Sequence, residues 1–535
     1  MSSKYKQKKR PEPSAKGLFP AWALALAVFL AALILYWPAR NHQFTNWDDK
    51  EYVTHNPDIQ KLDAQAVKYH FGREHMGNYH PLSMLSLALD YRIGGLDPKV
   101  FHTTNLLLHA LASLAAFAFV RALTASAAAA FISAMLFAIH PMHVESVAWV
   151  SERKDVLYGF FLLSALWAYV NYASAPEKKH KISWYAVFSA LFILSLLSKA
   201  QAVIFPVLCL LIDYFKGRGL TRPVMLEKAP LFALSLIFGL EAIHAQQTFE
   251  AIQDTSVYSY FDRILFSGYG LFTYLWKLAF PVELSAFYPY PLKIDGKFPL
   301  IFYITPVVSA GLIFIVWRFF RQNRLIVFGC LFFLASIGLV LQVLPVGGAV
   351  IAERYTYIPY LGLFMIAAHY LSDWKGMAGK ITTAAILCVF ALLAHNRIGI
   401  WENSLALWKD AERKSKISPK IYLNLGTAYM DASKYDSALI YTNEALRLQS
   451  KFPDALHNRG LIYYHTGRYE EAIADYTLAL EYNPRLMHAW YNRSGVYWTL
   501  KQFKPALDDA IRARELGYPV DPKYIEALQQ ALNTK

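Results

Sequence analysis

The amino-acid sequence predicts an all-α, polytopic membrane protein, with a bundle of about 11–13 transmembrane helices followed by a helical solenoid. Of its 535 residues, 56% are hydrophobic and the mean hydropathy is +0.25, which is high for a soluble chain of this length. The apolar residues form blocks of roughly 20, the length that crosses about 30 Å of hydrocarbon. From about Trp401 the chain becomes charged and amphipathic and repeats at a fixed interval.

Charge supports a membrane protein rather than a nucleic-acid-binding one. The net charge is +14, but the Lys and Arg residues lie mostly between the apolar blocks, as the positive-inside rule describes. We therefore expect no nucleic-acid partner. The basic residues 1–18 predict a cytoplasmic tail, and the aromatic end of the block 19–38 favours a retained helix over a cleaved signal peptide.

The first part of the chain, residues 19–398, is the predicted membrane body. Its eleven predicted crossings are 19–38, 102–121, 124–140, 155–173, 182–198, 201–215, 228–245, 299–318, 325–344, 355–372 and 378–396. Strict alternation from a cytoplasmic N-terminus then places the basic loops inside and the long loop 39–100 outside. The apolar segment 263–280 does not fit this alternation, which favours a re-entrant or interfacial helix.

Ionisable residues collect in the loops that this topology places outside. They are Asp48 and Asp49, then Glu145, Glu152, Arg153, Lys154 and Asp155, then Lys199, and finally Glu353 and Arg354. Ionisable groups at membrane depth are costly and by default mark a functional cavity. Each group also has a structural interpretation on its own: a helix cap, a charge cluster at a helix end, a snorkelling lysine or a buried pair that fixes packing.

The second part, residues 399–535, carries a sustained 34-residue period. The period joins Asn424, Asn458 and Asn492, and it also joins Ala438, Ala472 and Ala506. Such a period, with small residues at fixed sites, is the tetratricopeptide repeat pattern of paired helices. We predict repeats at 419–452, 453–486 and 487–520, a degenerate half repeat at 401–416 and a capping helix at 521–532.

A solenoid of this kind has a concave groove that commonly binds peptide. Polar residues expected on that face are Asn424, Asn458, Arg459, Asn492 and Arg493. They are suited to hydrogen bonding with a peptide backbone. The alternative is that the repeats serve only oligomerisation or scaffolding.

Several stretches together resemble membrane glycosyltransferases of the GT-C type, and more narrowly the transmembrane and tetratricopeptide-repeat O-mannosyltransferases and their bacterial relatives. The stretches are Asn46-Trp-Asp-Asp49, His140–Asp155, Leu197-Ser-Lys199, Tyr274–Lys277 with Phe287–Tyr290, and Glu353–Tyr357. They span most of the chain in the expected order. Ala200 departs from the proline that related bacterial chains tend to have after the Ser-Lys pair.

The resemblance implies an inverting transferase that moves a sugar from a polyprenyl-phosphate donor to a protein or glycan acceptor. Asp48 or Asp49 would be the catalytic base. The donor phosphate or its cavity would involve Glu145, Glu152, Arg153, Lys154, Asp155, Lys199, Glu353 and Arg354. A divalent cation between the two aspartates is possible chemistry, because carboxylate oxygens suit hard cations. The resemblance also implies the cell (inner) membrane, with the repeats on its external face.

Two other functions remain open from the sequence. One is a membrane-anchored repeat scaffold whose body has no activity. The other is a transporter for a lipid-linked sugar, which is less favoured because the sequence has no visible inverted repeat or matched pair of broken helices.

Overall fold

The structure, a computed structural model, describes residues 19–248, 258–343 and 348–533. The predicted basic tail, residues 1–18, lies outside the described residues. The membrane body contains sixteen α-helices in the described segments, several joined by single turns of 3-10 helix. In chain order they are α1 Ala21–Tyr36, α2 Ala64–Phe71, α3 Pro81–Gly94, α4 Pro98–Thr124, α5 Ala127–Ile139, α6 Val144–Ala148, α7 Arg153–Ser174, α8 Lys178–Ser198, α9 Phe205–Lys216, α10 Arg222–Leu226, α11 Ala229–Thr248, α12 Tyr260–Ala279, α13 Ile301–Phe320, α14 Arg324–Gly338, α15 Tyr360–Asp373 and α16 Met377–Ile400.

A helix lies at each of the eleven predicted crossings, but the crossings differ in length. Seven stretches of the described chain are long and apolar enough to span a membrane, or eight if the bent pair formed by α5 and Pro141–Ala148 is one span. The helices α9, α14 and α15 have 12, 15 and 14 residues, about 18–23 Å each, and are too short to cross alone. Turns carrying polar residues interrupt these crossings, for example Glu353–Thr356 just before α15.

The segment predicted to re-enter the membrane forms α12, a single unbroken helix of 20 residues. One face packs against α13, and the other exposes large apolar side chains, including Tyr260, Ile264 and Trp276. Whether it crosses or lies in the interface stays a prediction.

The core of the body forms around α7, which packs against α4 and α8, while α5 packs against α4 and α15. Small residues bring some helices very close. A Cβ on Gly329 of α14 would lie 2.4 Å from the carbonyl oxygen of Gly362 in α15, so this crossing requires glycine. Two short strands, β1 Tyr288–Pro289 and β2 Ala349–Ile351, pair antiparallel beside this core.

The arm is a row of antiparallel helix pairs. Its helices are α17 Ser404–Lys414, α18 Pro419–Asp431, α19 Tyr435–Leu448, α20 Pro453–His465, α21 Tyr469–Tyr482, α22 Met487–Thr499, α23 Phe503–Glu515 and α24 Pro522–Asn533. The first helices of successive pairs begin at Pro419, Pro453 and Met487, so the predicted 34-residue period is confirmed. The period-bearing alanines Ala438, Ala472 and Ala506 are all buried, because paired helices can approach only over small side chains. The predicted fold class, an all-α membrane bundle with a C-terminal solenoid, is confirmed.

Candidate active site

The acidic loop, residues 42–55, leaves the end of α1 and is held between the membrane body and the arm. The side chain of Asn46 accepts a hydrogen bond from Trp408 Nε1 at 2.8 Å and donates one to the Asn424 carbonyl at 2.9 Å. Its backbone N–H donates to Ser404 Oγ at 2.9 Å. Three bonds from one asparagine to α17 and α18 therefore fix the start of the loop.

Trp47 strengthens this attachment by stacking. Its ring lies 4.5 Å from Trp149 of the body, and 5.1 Å and 6.4 Å from Trp408 and Trp401. Arg354 faces two of these rings, 5.6 Å from Trp149 and 6.0 Å from Trp47. Such aromatic contacts contribute beyond simple burial. The four tryptophans thus hold the acidic loop, the arm and the loop containing Glu145 and Glu152 in one arrangement.

Asp49 is buried, and both oxygens of its carboxylate accept hydrogen bonds from neighbouring residues. Its carboxylate accepts from the backbone N–H and hydroxyl of Thr45, at 2.8 and 3.0 Å, and from the N–H and hydroxyl of Ser151, at 3.0 and 2.5 Å. Burial raises the pKa of Asp49 to about 6 despite these four donors. The contacts make Asp49 a brace between the acidic loop and the turn before α7.

Asp48 is different from its neighbour. It is only half-buried, and within the described chain no protein group donates a hydrogen bond to its carboxylate or forms an ion pair with it. Desolvation raises the pKa of Asp48 above the usual 3.8, while the positive charges of Lys154, Lys420 and Arg354 oppose that rise. A turn of π-helix, Lys50–Thr54, follows at once, and such turns are frequent at functional sites. Asp48 is therefore a carboxylate that remains available for chemistry.

Beside Asp48 lies the ion-pair cluster, in which carboxylates and cations alternate. Glu152 is at its centre, with Arg354 Nε 3.2 Å, Lys154 Nζ 3.4 Å and Lys199 Nζ 3.6 Å from its oxygens. Arg354 also pairs with Glu145, and its backbone N–H donates to the same carboxylate at 3.1 Å.

Lys199 also pairs with a second carboxylate, Asp155, which accepts from Ser146 Oγ at 3.0 Å. The ion-pair cluster therefore consists of Glu145, Glu152, Lys154, Asp155, Lys199 and Arg354. It joins residues that are distant in sequence: those of the 145–155 stretch, the end of α8 and the turn before α15.

Two of the residues singled out from the sequence lie outside this cluster. The guanidinium of Arg153 is fully buried and donates to Asn105, Ser86, Asp90 and the Phe101 carbonyl, so it fastens α7 to α3 and α4. We leave Arg153 out of the site for that reason.

Glu353 is the second of these residues, and it lies at the junction between the membrane body and the arm. It pairs with Arg397 at 3.1 Å and accepts from the Tyr288 hydroxyl at 2.9 Å. Arg397 in turn pairs with Asp410 of α17 at 3.0 Å. Glu353 therefore links the membrane body to the arm.

The five groove residues of the arm separate by residue type. Asn458 donates to Thr427 Oγ1 at 2.9 Å, and Asn492 lies 2.9 Å from His457 Nε2, so each of these asparagines contacts the first helix of the preceding repeat. Arg459 and Arg493 instead form equivalent paired contacts with Asp475 and Asp509, at 2.6–2.9 Å. These contacts make the two arginines ties between paired helices, so the polar row of the arm consists of the three asparagines, one in each repeat.

A divalent cation does not fit the two aspartates as they stand. Asp49 is occupied by four donors, and the carboxylates of the ion-pair cluster already face cations. Residues 19–248, 258–343 and 348–533 contain no group of three or more His, Cys, Asp or Glu side chains placed to hold a metal ion. The divalent cation considered from the sequence is therefore not part of the proposed site.

The sequence drew attention to Asn46 and Trp47 only as part of a stretch that resembles the O-mannosyltransferases, and it gave no sign that they hold the acidic loop in place. Asn46 and Trp47 stand directly before the aspartates, and Trp408 lies more than 350 residues away. Ser151, which separates the role of Asp49 from that of Asp48, gave no signal at all.

Comparisons with known proteins agree with this architecture. Models of the tetratricopeptide repeat match residues 419–452 and 453–486. The mouse protein O-mannosyl-transferase TMTC3 is 25% identical over 421 residues, which cover 70% of this chain and 44% of that protein. Human protein O-mannosyl-transferase TMTC1 is 25% identical over 503 residues, covering 81% of this chain and 56% of that protein.

The chain spans about half the length of the curated relatives it matches. Among solved structures, the oligosaccharyltransferase of Archaeoglobus fulgidus aligns with a TM-score of 0.41 at 15% identity, over 78% of this chain and 58% of that one. The relatives and the repeat matches confirm the predicted resemblance to the transmembrane and tetratricopeptide-repeat O-mannosyltransferases, in a multi-pass membrane protein.

Proposed function

We propose that this protein is an inverting glycosyltransferase that moves a sugar from a polyprenyl-monophosphate donor to a hydroxyl group of a protein. The observation that carries the proposal is the free carboxylate of Asp48, next to the ion-pair cluster and at the surface where the arm meets the membrane body. The names of the relatives support protein O-mannosylation as the reaction class.

In the proposed reaction, the acceptor hydroxyl oxygen attacks the anomeric carbon of the donor sugar. The bond between that carbon and the phosphate oxygen breaks, and the lipid phosphate leaves with the electron pair. Asp48 takes the hydroxyl proton as the new bond forms. A single displacement inverts the anomeric carbon, so one base is sufficient and no covalent sugar–enzyme intermediate is needed.

The charge of the ion-pair cluster favours a donor with a single phosphate. Its three cations, Arg354, Lys154 and Lys199, stand against three carboxylates, Glu145, Glu152 and Asp155. Because these charges balance, the cluster has no surplus of positive charge, and the single negative charge of a sugar–phosphate–lipid diester costs less to bind there than a higher charge would. A diphosphate carries more charge and would need further cations. Arg354 is suited to the leaving phosphate, because a guanidinium can contact two of its oxygens.

The arm would present the acceptor. The acidic loop already lies along it, since Asn46 bonds Asn424 and Lys50 pairs with Asp431 at 2.8 Å. An extended peptide crossing the row Asn424, Asn458 and Asn492 would be led toward Lys420 and Asp48. The basic loops predict that this side of the body faces the outside of the cell membrane, with residues 1–18 in the cytoplasm.

The proposal is tested with the purified full-length protein, a polyprenyl-phosphate mannose donor and candidate acceptor proteins. We expect Asp48→Asn to lower the rate of mannose transfer by about 100- to 10,000-fold, the usual contribution of a general base. The variant should keep the thermal stability of the natural protein, because Asp48 has no protein partner to lose. Asp58→Asn, three residues beyond the acidic loop and bonded through its side chain only to Tyr69, is the matched control and should retain activity. Full transfer by Asp48→Asn would exclude the proposed base.

A further inference from the structure

One buried histidine near the candidate site, His80, makes no hydrogen bond through its side chain within the described chain. His80 is 3% exposed, and neither of its ring nitrogens has a hydrogen-bond partner among the described residues. A buried polar atom without a partner is unfavourable, so each one calls for an explanation. His80 stands directly before α3, where it is the N-cap residue, although its side chain does not cap the helix.

His80 is connected to the ion-pair cluster through the side chain of Tyr52. Its ring stacks on Tyr52 at 5.6 Å, and Lys154 Nζ lies 4.8 Å from the centre of that same tyrosine ring. The first turn of α3 is also tied to the end of α8, because Ser83 Oγ donates to the Ser198 carbonyl at 2.9 Å, one residue before Lys199. His80 is thus held by packing and by its helix next to two of the three cations of the cluster.

The charged state of His80 follows from these neighbours. Burial lowers its pKa well below 6.5, and the positive charges of Lys154, His75 and Lys199 lower it further, against the opposite effect of Glu152. The ring is therefore neutral, with one N–H donor and one acceptor nitrogen.

His80 also borders a small void. The void, lined by Asp58, His70 and His75 among others, has a volume of about 20 Å³. That space admits a single water molecule at most. A ligand larger than water therefore does not reach His80 through that void.

We propose that the neutral N–H of His80 donates a hydrogen bond to a phosphate oxygen of the lipid-linked donor. This inference rests on the proposed function and adds a residue to the donor site. The cations and carboxylates of the ion-pair cluster already balance one another. A neutral N–H group can bind an anion there without adding a positive charge that another carboxylate would have to compensate. The contact positions the phosphate and transfers no proton. His80 therefore contributes to binding of the sugar donor and does not contribute to binding of the acceptor protein.

The test compares three single variants of the full-length protein. His80→Phe keeps the stacking on Tyr52 and removes both nitrogens. His80→Asn keeps a neutral N–H donor and is well suited to the N-cap position. His102→Phe is the matched control, because His102 is equally buried at 3%, also has two unpartnered nitrogens, and faces His42 rather than Lys154 or Lys199.

Two quantities are measured for each variant: the KM values for donor and acceptor, and the affinity for polyprenyl monophosphate, the product lipid, added alone. For His80→Phe we expect a donor KM and a lipid-phosphate Kd raised about 10- to 100-fold, the usual range for a hydrogen bond to a charged group. The acceptor KM should stay the same, His80→Asn should recover most of the loss, and His102→Phe should bind as the natural protein does.

Stability separates binding from packing. His80→Phe removes unpartnered buried atoms, so its melting temperature should equal or exceed that of the natural protein while donor affinity falls. Unchanged lipid-phosphate affinity in His80→Phe overturns the inference, as does an equal loss of affinity in His102→Phe. If lipid phosphate binds in a His80-dependent way but no sugar is transferred, the inference holds and the proposed transferase function fails.

Discussion

The two ends of α7 hold two clusters of buried charge that are built differently. At its start lies the ion-pair cluster, with Asp48 free beside it. At its other end lies a second set, which we call the distal cluster: Asp213, Arg218, Glu227 and Lys228. Asp155 and Tyr169, one at each cluster, are 14 residues apart on α7, which corresponds to about 21 Å.

In the distal cluster every charge is reciprocated. Lys228 lies 2.6 Å from Asp213 and 2.9 Å from Glu227, and Arg218 lies 2.9 and 3.0 Å from the same two carboxylates. The hydroxyls of Tyr169 and Tyr172 complete the set. Two cations face two anions, and the distal cluster closes on itself. The comparison teaches that the mere presence of buried charge does not mark the candidate site; a carboxylate without a protein partner among the described residues, beside the cations of the ion-pair cluster, does.

The largest effect on stability is expected when an ion pair of the distal cluster is broken. Asp213→Asn removes one of the two anions that face Lys228, a side chain that is fully buried. Breaking such a pair typically costs about 3–5 kcal/mol. Thermal unfolding of the detergent-solubilised protein should show the loss, while transfer by the remaining folded protein should be unchanged. A fall in transfer rate without a loss of stability would contradict the structural role of the distal cluster.

A smaller loss of stability is expected at Asp49, the brace of the acidic loop. Asp49→Asn replaces an ionised acceptor of four donors by a neutral amide, at a cost of about 1.5–3 kcal/mol. The melting temperature should fall in Asp49→Asn and stay constant in Asp48→Asn. Equal melting temperatures for the two variants would mean that the distinction between the neighbouring aspartates is wrong.

The pH dependence of transfer should report the environment of Asp48. A base acts only when ionised, so the rate should fall about tenfold per pH unit below its pKa. Because burial raises that pKa above 3.8, the decline should begin at a higher pH than for an ordinary aspartate. The measurement is a pH–rate profile of kcat/KM at constant ionic strength. An acid limb at or below the ordinary value would show that Asp48 is more hydrated than the structure indicates.

The smallest effect is expected at the exposed link between the acidic loop and the arm. Lys50 and Asp431 form an ion pair at 2.8 Å, with side chains 26% and 43% exposed. Exposed pairs contribute about 0.2–1 kcal/mol. Lys50→Met should therefore change the melting temperature very little and leave transfer intact, because Asn46 and Trp47 hold the loop. A large loss would show that the pair does more than the geometry suggests.

Much of the fold could be predicted because it follows from periodicity. Apolar blocks locate the membrane helices, and a 34-residue step locates the helix pairs of the arm. The lengths of individual crossings could not be predicted, since α9 and α15 are shortened by turns whose polar residues are paired through contacts distant in sequence.

The candidate site divides in the same way. The charge rule places the loops of Asp48, Glu152, Lys199 and Arg354 on one side, and the structure has these residues close together. The different surroundings of Asp48 and Asp49 depend on Ser151, and the exclusion of Arg153 depends on Asp90 and Asn105. Such details require knowing which side chains meet in space, which no spacing in a single sequence contains.

The bonds of Asn46 to Trp408 and Asn424 also set an order of events during synthesis. The acidic loop leaves the ribosome more than 350 residues before the helices that hold it. Until α17 and α18 have been made and have docked, Trp47 lacks two of the rings on which it stacks, and the peptide carrying Asp48 has no fixed position. A nascent membrane body without its arm therefore has no fixed position for the carboxylate that we propose as the catalytic base.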